Sequence, residues 1–445
     1  YTIPNIKGEI KGVYTNATPV DAYRGAGRPE ATYLMERLLD LLAKKIGADP
    51  VEIRRKNLIK KDQFPYTTAT GLIYDSGDYH LALDKALGML DYKKFRAEQA
   101  AARKQGRYIG LGITTYNEIC GLGPSQVAGA VGFGGGLYDS ALVRVYPTGM
   151  VRVYIGGKPH GQGEETTFAQ VVADEFGVPM ENVEIVHGDT DNTPQGWGTY
   201  GSRTTAVCGS AVKVAAQRVK EKAKKIAAHL LEASEDDLEW KDGKFAVKGS
   251  PAQAKAFGEL ALMANVAWNM PAGVEPGLEA TAFFDPTNFV YPFGTHLCTV
   301  EVDVETGVTR ILRYIAVDDC GPLINPMIVE GQVHGGVIQG IGEAMQEIAV
   351  YDEDGQLLTG TMMDYAVPRA AQMPRIETAH TVTPTDVNPL GIKGVGETGT
   401  IAAVPTLVAA VCDALSPLGI THIEKPLTPA RVWAAIQAAR KGGAK

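Results

Sequence analysis

The segment "NPLGIKGVGETGTIAAVP", residues 388 to 405, passes from glycines into an apolar run, and a single acid, Glu397, stands at the join. Glycine lets backbone approach a ligand closely, and a helix start offers unpaired N–H groups and the positive end of a dipole. The segment therefore predicts a loop feeding a helix, with a carboxylate held where side chains have been cleared away. Two roles fit Glu397 on these residues alone. It is either a first-turn acid of a helix beginning near Thr400, or a reactive carboxylate facing a bound molecule.

Three further stretches share this grammar: "AYRGAGRPEA" (22 to 31), "GGKPHGQGEETTFAQ" (156 to 170) and "GTYGSRTTAVCGSA" (198 to 211). Any one of them reads as an ordinary glycine turn. Four together predict loops converging on a large cofactor with phosphates and many polar ring atoms. "VDDCGPLINP" (317 to 326) places Cys320 and Asn325 at a strand-to-helix junction, where Asn325 also serves as a plain helix cap. "EGQVHGGVIQGIG" (330 to 342) opens a helix of small residues, and His334 within it reads as a packed or capping histidine. Simpler sites fail on spacing. Lys158 precedes the Gly161 to Gly163 run, so there is no Walker-type loop, and no G-x-G-x-x-G, H-E-x-x-H or G-x-S-x-G occurs in the required context.

The expected architecture is α+β, with mixed sheets packed against long helices. A chain of 445 residues exceeds one ordinary core. Asp49-Pro50, Asn325-Pro326 and Thr428-Pro429 each put a capping side chain before a proline at the first helical position. Residues 30 to 46 set Leu34, Leu38, Leu41 and Leu42 on one face and end at Gly47, the pattern of an amphipathic helix, and a shorter helix follows to about Leu58. Residues 61 to 79 lack apolar period and read as a connector. "ALVRVYPTGMVRVYIGG" and "HLCTVEVDVETGVTRILRYIAVDD" each predict two strands, joined at Thr148-Gly149 and Thr306-Gly307. Long helices are expected over 202 to 232 and 326 to 349.

Acids exceed bases by eight, and basic residues gather only on the helix around 213 to 225, which excludes nucleic acid and anionic membrane as expected partners. Five scattered cysteines without C-x-x-C spacing point to a reducing compartment, and against a zinc knuckle or iron–sulfur cluster held by this chain alone. The most apolar stretch, 401 to 416, is too short to span a bilayer and contains Pro405, so no membrane insertion and a cytoplasmic location are expected. The opening "YTIPNIKGEI" lacks an initiator methionine and reads as the middle of a sheet, as in a processed or subunit-sized piece.

With these loops in order, the chain resembles the molybdenum-binding large subunit of the xanthine oxidase family of molybdenum hydroxylases, on the side of the carbon monoxide dehydrogenase large-chain group. The strings that carry the resemblance are "AYRGAGRPEATYLMERLLDLLA", "GQGEETTFAQVVADEFGVP", "HGDTDNTPQGWGTYGSRTT", "DDCGPLINPMIVEGQVHGG" and "KGVGETG". It implies that residues 1 to 60 end a first molybdenum-cofactor-binding domain, that 61 to 79 connect, and that 80 to 445 form a second. Glu397 matches the family's catalytic base, which takes the proton as water-derived oxygen enters an electron-poor carbon. Arg24 and Gly25 match the loop facing the metal, with Arg24 as a fixed cation or, alternatively, a surface ion pair with Glu30 or Asp21. The backbone of Gly201 falls near the metal. Thr199, Tyr200, Ser202, Arg203 and Thr204 surround the pterin and dinucleotide. Outer contacts fall to Gly161, Gln162 and Gly163, to Cys320, Asn325 and Gln332, and to Lys393, Gly394, Val395 and Gly396.

The resemblance implies a molybdopterin dinucleotide, in its cytosine form, carrying molybdenum. Iron–sulfur clusters and FAD would sit on partner subunits, in a dimer of heteromers that acts on a small-molecule substrate. Two departures matter. Members with a molybdenum-copper centre carry cysteine, serine and phenylalanine where this chain has Gly25, Ala26 and Gly27, and glycine cannot bind copper. An aldehyde or nitrogen heterocycle is therefore the expected substrate, with carbon monoxide oxidation or a noncatalytic pterin-binding assembly role as alternatives. The family's amino-terminal molybdenum subdomain is also absent, since "GFGGG" at 132 to 136 comes too late in the chain, so a companion chain or fragment must supply it.

Overall fold

A computed structural model describes residues 1 to 130 and 132 to 442. Two four-stranded sheets organise the chain, and the α+β expectation holds. In the first, strands Tyr108–Asn117, Phe293–Val302 and Thr309–Asp319 run antiparallel, and Ile376–Thr381 adds to the edge in parallel. In the second, Leu278–Phe284, Asp139–Val145 and Val151–Ile155 are antiparallel, and Val183–Val186 joins in parallel. Both hairpins turn where expected, with Gly149 and Gly307 at positive φ.

Each sheet buries one face under long helices. Thr204–Leu230 and Glu164–Phe176 cover the second sheet, with Val143, Val153, Phe168 and Val212 fully enclosed. Thr398–Leu415 lies on the first sheet and is flanked by Pro326–Met345. Helix Thr398–Leu415 is long and apolar enough, with its continuation to Leu418, to cross a membrane by length and composition. That revises the sequence reading, in which Pro405 cut the stretch short. The helix runs through Pro405, and 78% of its apolar window is buried inside the fold, as befits a core helix.

The three proline-marked helices begin as expected, at Pro50, Pro326 and Pro429. Asp49 and Asn325 accept hydrogen bonds from first-turn backbone N–H groups, each cap contributing on the order of 1 kcal/mol. The helix Arg28–Ile46 also ends at Gly47, but its orientation reverses the simple reading. Leu34, Leu38, Leu41 and Leu42 are exposed, while Glu36 and Arg37 are buried. The inner face is polar because Glu36 and Asp40 pair with Arg54, itself fully enclosed, and Glu36 accepts from Thr115 N and the Tyr1 hydroxyl. The opening residues are not a strand: no regular element precedes Arg28, and Tyr1 is anchored by its side chain. Leu58 and Ile59, before the 61 to 79 connector, pack with Leu83, Leu87 and Phe293 after it.

Glycines let the central helix sit unusually close to its neighbours. A Cβ added at Gly399 would fall 2.6 Å from Val333 O and 2.9 Å from Gly336 C, so this residue serves the crossing with helix Pro326–Met345 and not the ligand space. We expect Gly399→Ala to lower stability by roughly 1–3 kcal/mol through overpacking. Urea unfolding followed by circular dichroism checks it, and an unchanged midpoint would contradict the crossing.

Candidate cofactor cavity and active site

The glycine loops meet. Residues from 22 to 26, 160 to 164, 199 to 205, 320 to 325 and 392 to 397 line one cavity of about 740 Å³, together with Ile328, Gln332, Gly335 and Gln339 on one face of helix Pro326–Met345. Four of these loops run directly into helices, at Arg28, Glu164, Thr204 and Thr398, and the fifth runs into Pro326. Several helix starts thus gather around one space, the kind of setting that anion binding uses.

Glu397 occupies the N-cap position of helix Thr398–Leu415, yet its side chain makes no capping bond. Its Oε2 is buried without a hydrogen-bond partner, whereas its backbone N–H donates to Ser202 Oγ at 3.1 Å. An unmade bond at a buried carboxylate is costly, so the group is held for something else. Three more orphaned polar atoms belong to residues of the same wall: Glu164 Oε2, Thr199 Oγ1 and Thr204 Oγ1. Burial pushes the Glu164 carboxyl above the usual range.

Ser202 takes a left-handed backbone, φ 52°, that non-glycine residues rarely adopt. It is held there by contact on both sides. Its carbonyl accepts from Cys120 Sγ at 3.1 Å, and a Cβ added at Gly394 would lie 2.1 Å from that carbonyl. Glycine at 394 is therefore a condition for the 198 to 204 and 391 to 397 loops to touch.

Arg24 is no surface ion pair. Its Nε donates to Gly396 O at 2.5 Å, Nη1 to Gln339 Oε1 at 2.7 Å, and Nη2 to both Gln332 O and Gln332 Oε1 at 3.0 Å. The guanidinium clasps the 22 to 27 loop to the Glu397 loop and to helix Pro326–Met345, leaving one N–H free for a ligand. Gln339, which also donates to the Tyr23 hydroxyl at 2.6 Å, was missed in the sequence. The signal was available, because Gln332, Gly335 and Gln339 recur at helical spacing.

Of the remaining sequence candidates, Gly161, Gln162, Tyr200, Gly201, Val395 and Gly396 line the cavity. Cys320 does too, its thiol pushed up to about 12 by burial and by Asp319 and Asp318. Asn325 lines it as well but has both amide groups engaged, capping Ile328 N and donating to Gln170 Oε1. Lys393 is 3% exposed and donates to Ser76 O in the connector. His334 lies outside the cavity, in the middle of helix Pro326–Met345 beside Glu330, and caps no helix. Gly25 and Gly163 stand behind the wall. A Cβ at Gly25 would fall 2.6 Å from Pro29 Cγ, and one at Gly163 would fall 2.8 Å from Ile328 Cδ1.

Arg203 needs a fuller correction. It is completely buried and bonds Asp139 at 2.8 Å, together with the carbonyls of Leu122, Gly198, Leu137 and Tyr138. A guanidinium tied to four carbonyls and a carboxylate has nothing left for a ligand, so the residue braces the loop from behind. Arg203→Met should cost on the order of 3–5 kcal/mol by stranding Asp139. Denaturant unfolding reads this directly; normal stability with weakened cofactor retention would restore a binding role.

The comparisons with known proteins agree with this geometry. Models of the molybdopterin cofactor-binding domain match residues 85–374 and 1–58. The carbon monoxide dehydrogenase large chain of Hydrogenophaga pseudoflava is 47% identical over 98% of this chain and 54% of its own. Among solved structures, Cu,Mo-CO dehydrogenase superposes with a TM-score of 0.90 at 43% identity, covering 94% of this chain and 53% of that one. Quinoline 2-oxidoreductase from Pseudomonas putida 86 does so at 0.88 and 41%, again over 94% of this chain and 53% of that one. The chain spans about half the length of the relatives it matches. A cavity walled by glycine loops and helix starts, together with these matches, shows that the chain belongs to the molybdopterin-binding domains of the xanthine oxidase family.

Proposed function

We propose that the chain is the cofactor-holding part of a molybdenum hydroxylase large subunit, which inserts water-derived oxygen into an aldehyde or nitrogen-heterocycle carbon. One observation carries the reading: Glu397 Oε2 is buried and unpartnered in the wall of the cavity where five loops meet. The residues fit a molybdopterin group. Orphaned Thr199 Oγ1 and Thr204 Oγ1 and the helix N–H groups suit its polar edge and phosphates, and Gly161 has no atom within 4 Å of where a Cβ would stand. When bound, the molybdenum cofactor supplies a Lewis acid and a two-electron acceptor.

The chain's own part is positioning and proton handling. Arg24 fixes Gly396 and so fixes the direction in which the next side chain leaves the loop. Ser202 Oγ holds the Glu397 backbone from the other side. Glu397 accepts the proton that a water oxygen releases as it attacks the electron-poor carbon, a role that needs an unpaired carboxylate oxygen within reach of the reacting atoms. Gly25 offers no thiolate for copper, and a Cβ there would also clash with Pro29, so the loop is shaped for glycine. This supports hydroxylation over copper-dependent carbon monoxide oxidation, although relatives of that name are similar throughout.

The finer assignments belong to the same proposal. They comprise a cytosine dinucleotide form, an iron–sulfur subunit and an FAD subunit to carry electrons away, and a companion segment with the remaining molybdenum subdomain. A dimer of heteromers, a cytoplasmic location and the division into 1–60, 61–79 and 80–445 complete it. Glu397→Gln should retain molybdenum by metal analysis of the complex while turnover on an aldehyde and heterocycle panel falls roughly 10²–10⁴-fold. Turnover at the normal rate would remove Glu397 from the chemistry.

A further inference from the structure

A second carboxyl stands behind the first. Glu118 follows strand Tyr108–Asn117 and is 0% exposed, held by its backbone N–H on Pro292 O at 2.9 Å. Two residues on, Cys120 Sγ bonds both Ser202 O at 3.1 Å and Gly394 N at 3.2 Å, and Ser202 Oγ in turn holds the Glu397 N–H, so Glu118 packs behind the loops that carry Glu397, whose carboxylate acts on it. Neither Glu118 oxygen has a hydrogen-bond partner, and Glu397 Oε2 has none either.

Two cations, Arg28 and Arg24, face Glu118 and their charge acts on it, but neither forms a salt bridge with it. Arg28 is the nearest on helix Arg28–Ile46, but its Nη2 donates to Ile119 O at 2.6 Å and its Nη1 to Gly25 O at 3.3 Å. Arg24 is taken up by Gly396, Gln332 and Gln339. No arginine or lysine among the described residues forms a salt bridge with Glu118, and the other titratable groups beside it, Tyr116 and Cys120, bring no positive charge. Two carboxyls in one dry site cannot both ionise, because like charges repel strongly there.

We propose that Glu118 is a positioning residue for the base: its carboxyl O–H donates a hydrogen bond to the orphaned Oε2 of Glu397 and so aims that side chain. The inference rests on Glu397 being the base. Burial, and next the Glu397 carboxylate, push the Glu118 carboxyl well above the usual range, which keeps its proton in place at neutral pH. Glu118 thus forms no bond to substrate. It supplies a donor where solvent is excluded, and a neutral carboxyl does so without adding charge.

Infrared difference spectroscopy of the purified complex tests the pairing without turnover. A protonated carboxyl C=O band should persist well above the pH at which a solvated glutamic acid ionises, vanish in Glu118→Gln, and shift in Glu397→Gln. Absence of the band, or its survival in Glu118→Gln, overturns the proposal. Kinetics give the second readout. In Glu118→Leu the acid limb of kcat/KM should move up by about one pH unit, the worth of one charge-assisted hydrogen bond. In Glu118→Gln the limb should return towards wild type, because the amide N–H still donates. A limb that stays put or moves down in Glu118→Leu, as loss of an ionised neighbour would produce, refutes it. Should Glu118→Leu not fold, the near-isosteric Glu118→Gln still decides by its spectrum. Normal turnover of Glu397→Gln would fault the base assignment alone, since the resting spectrum does not depend on it.

Discussion

Backbone-to-backbone contact along helix Thr398–Leu415 is the constraint from which the rest follows. A Cβ added at Gly112 would lie 1.8 Å from Thr406 O, and one at Gly110 would lie 2.0 Å from Ala410 O, so the sheet meets the helix without side chains between them. On its other flank, Gly336 and Gly399 do the same for helix Pro326–Met345. Close packing of this kind admits little rigid-body freedom. It therefore fixes Glu397 at the helix start, Glu118 at the end of the strand that bears Gly110 and Gly112, and Gln332 and Gln339 on the adjoining helix.

Arginines complete what the glycines begin. Loops that converge on a ligand forgo ladder hydrogen bonds, and their carbonyls must be satisfied elsewhere. A planar guanidinium with five donors does this economically. Arg203 ties together four carbonyls behind the 198 to 204 loop, Arg24 joins three segments beside Glu397, and Arg28 holds Gly25 and Ile119. With the hydrogen bonds of these arginines spent on scaffolding, carboxylate oxygens at 397, 118 and 164 are left without a hydrogen-bond partner. The wall so built leaves Glu397 Oε2 and Glu164 Oε2 without a protein partner beside the cavity.

Much of this was legible in the sequence, for physical reasons. Proline after a capping residue located three helices, and glycines before helix starts located the loops. Charged residues were the blind spot. The pattern at Leu34, Leu38, Leu41 and Leu42 suggested an inner face, but Glu36 and Arg37 lie inside, because their partners Arg54, Thr115 and the Thr421 carbonyl come from other segments that no local period reveals. Arg203 looked like a ligand contact for the same reason, as its partners are carbonyls 5 to 81 residues away. Gly399, in the same glycine run as Glu397, makes room for a helix, and only the crossing with Pro326–Met345 reveals that. Glu118, one acid after an apolar strand, gave no sequence signal, and only its burial against Glu397 singles it out.

The place of one metal relative to Glu397 decides between hydroxylation and copper-dependent oxidation. Anomalous scattering from crystals of the intact complex, measured at the molybdenum and copper absorption edges, tests it most directly. A molybdenum peak is expected inside the cavity beside the Glu397 carboxylate, with no copper peak next to Gly25. A molybdenum peak remote from Glu397, or copper seated at the 24 to 27 loop, would contradict it.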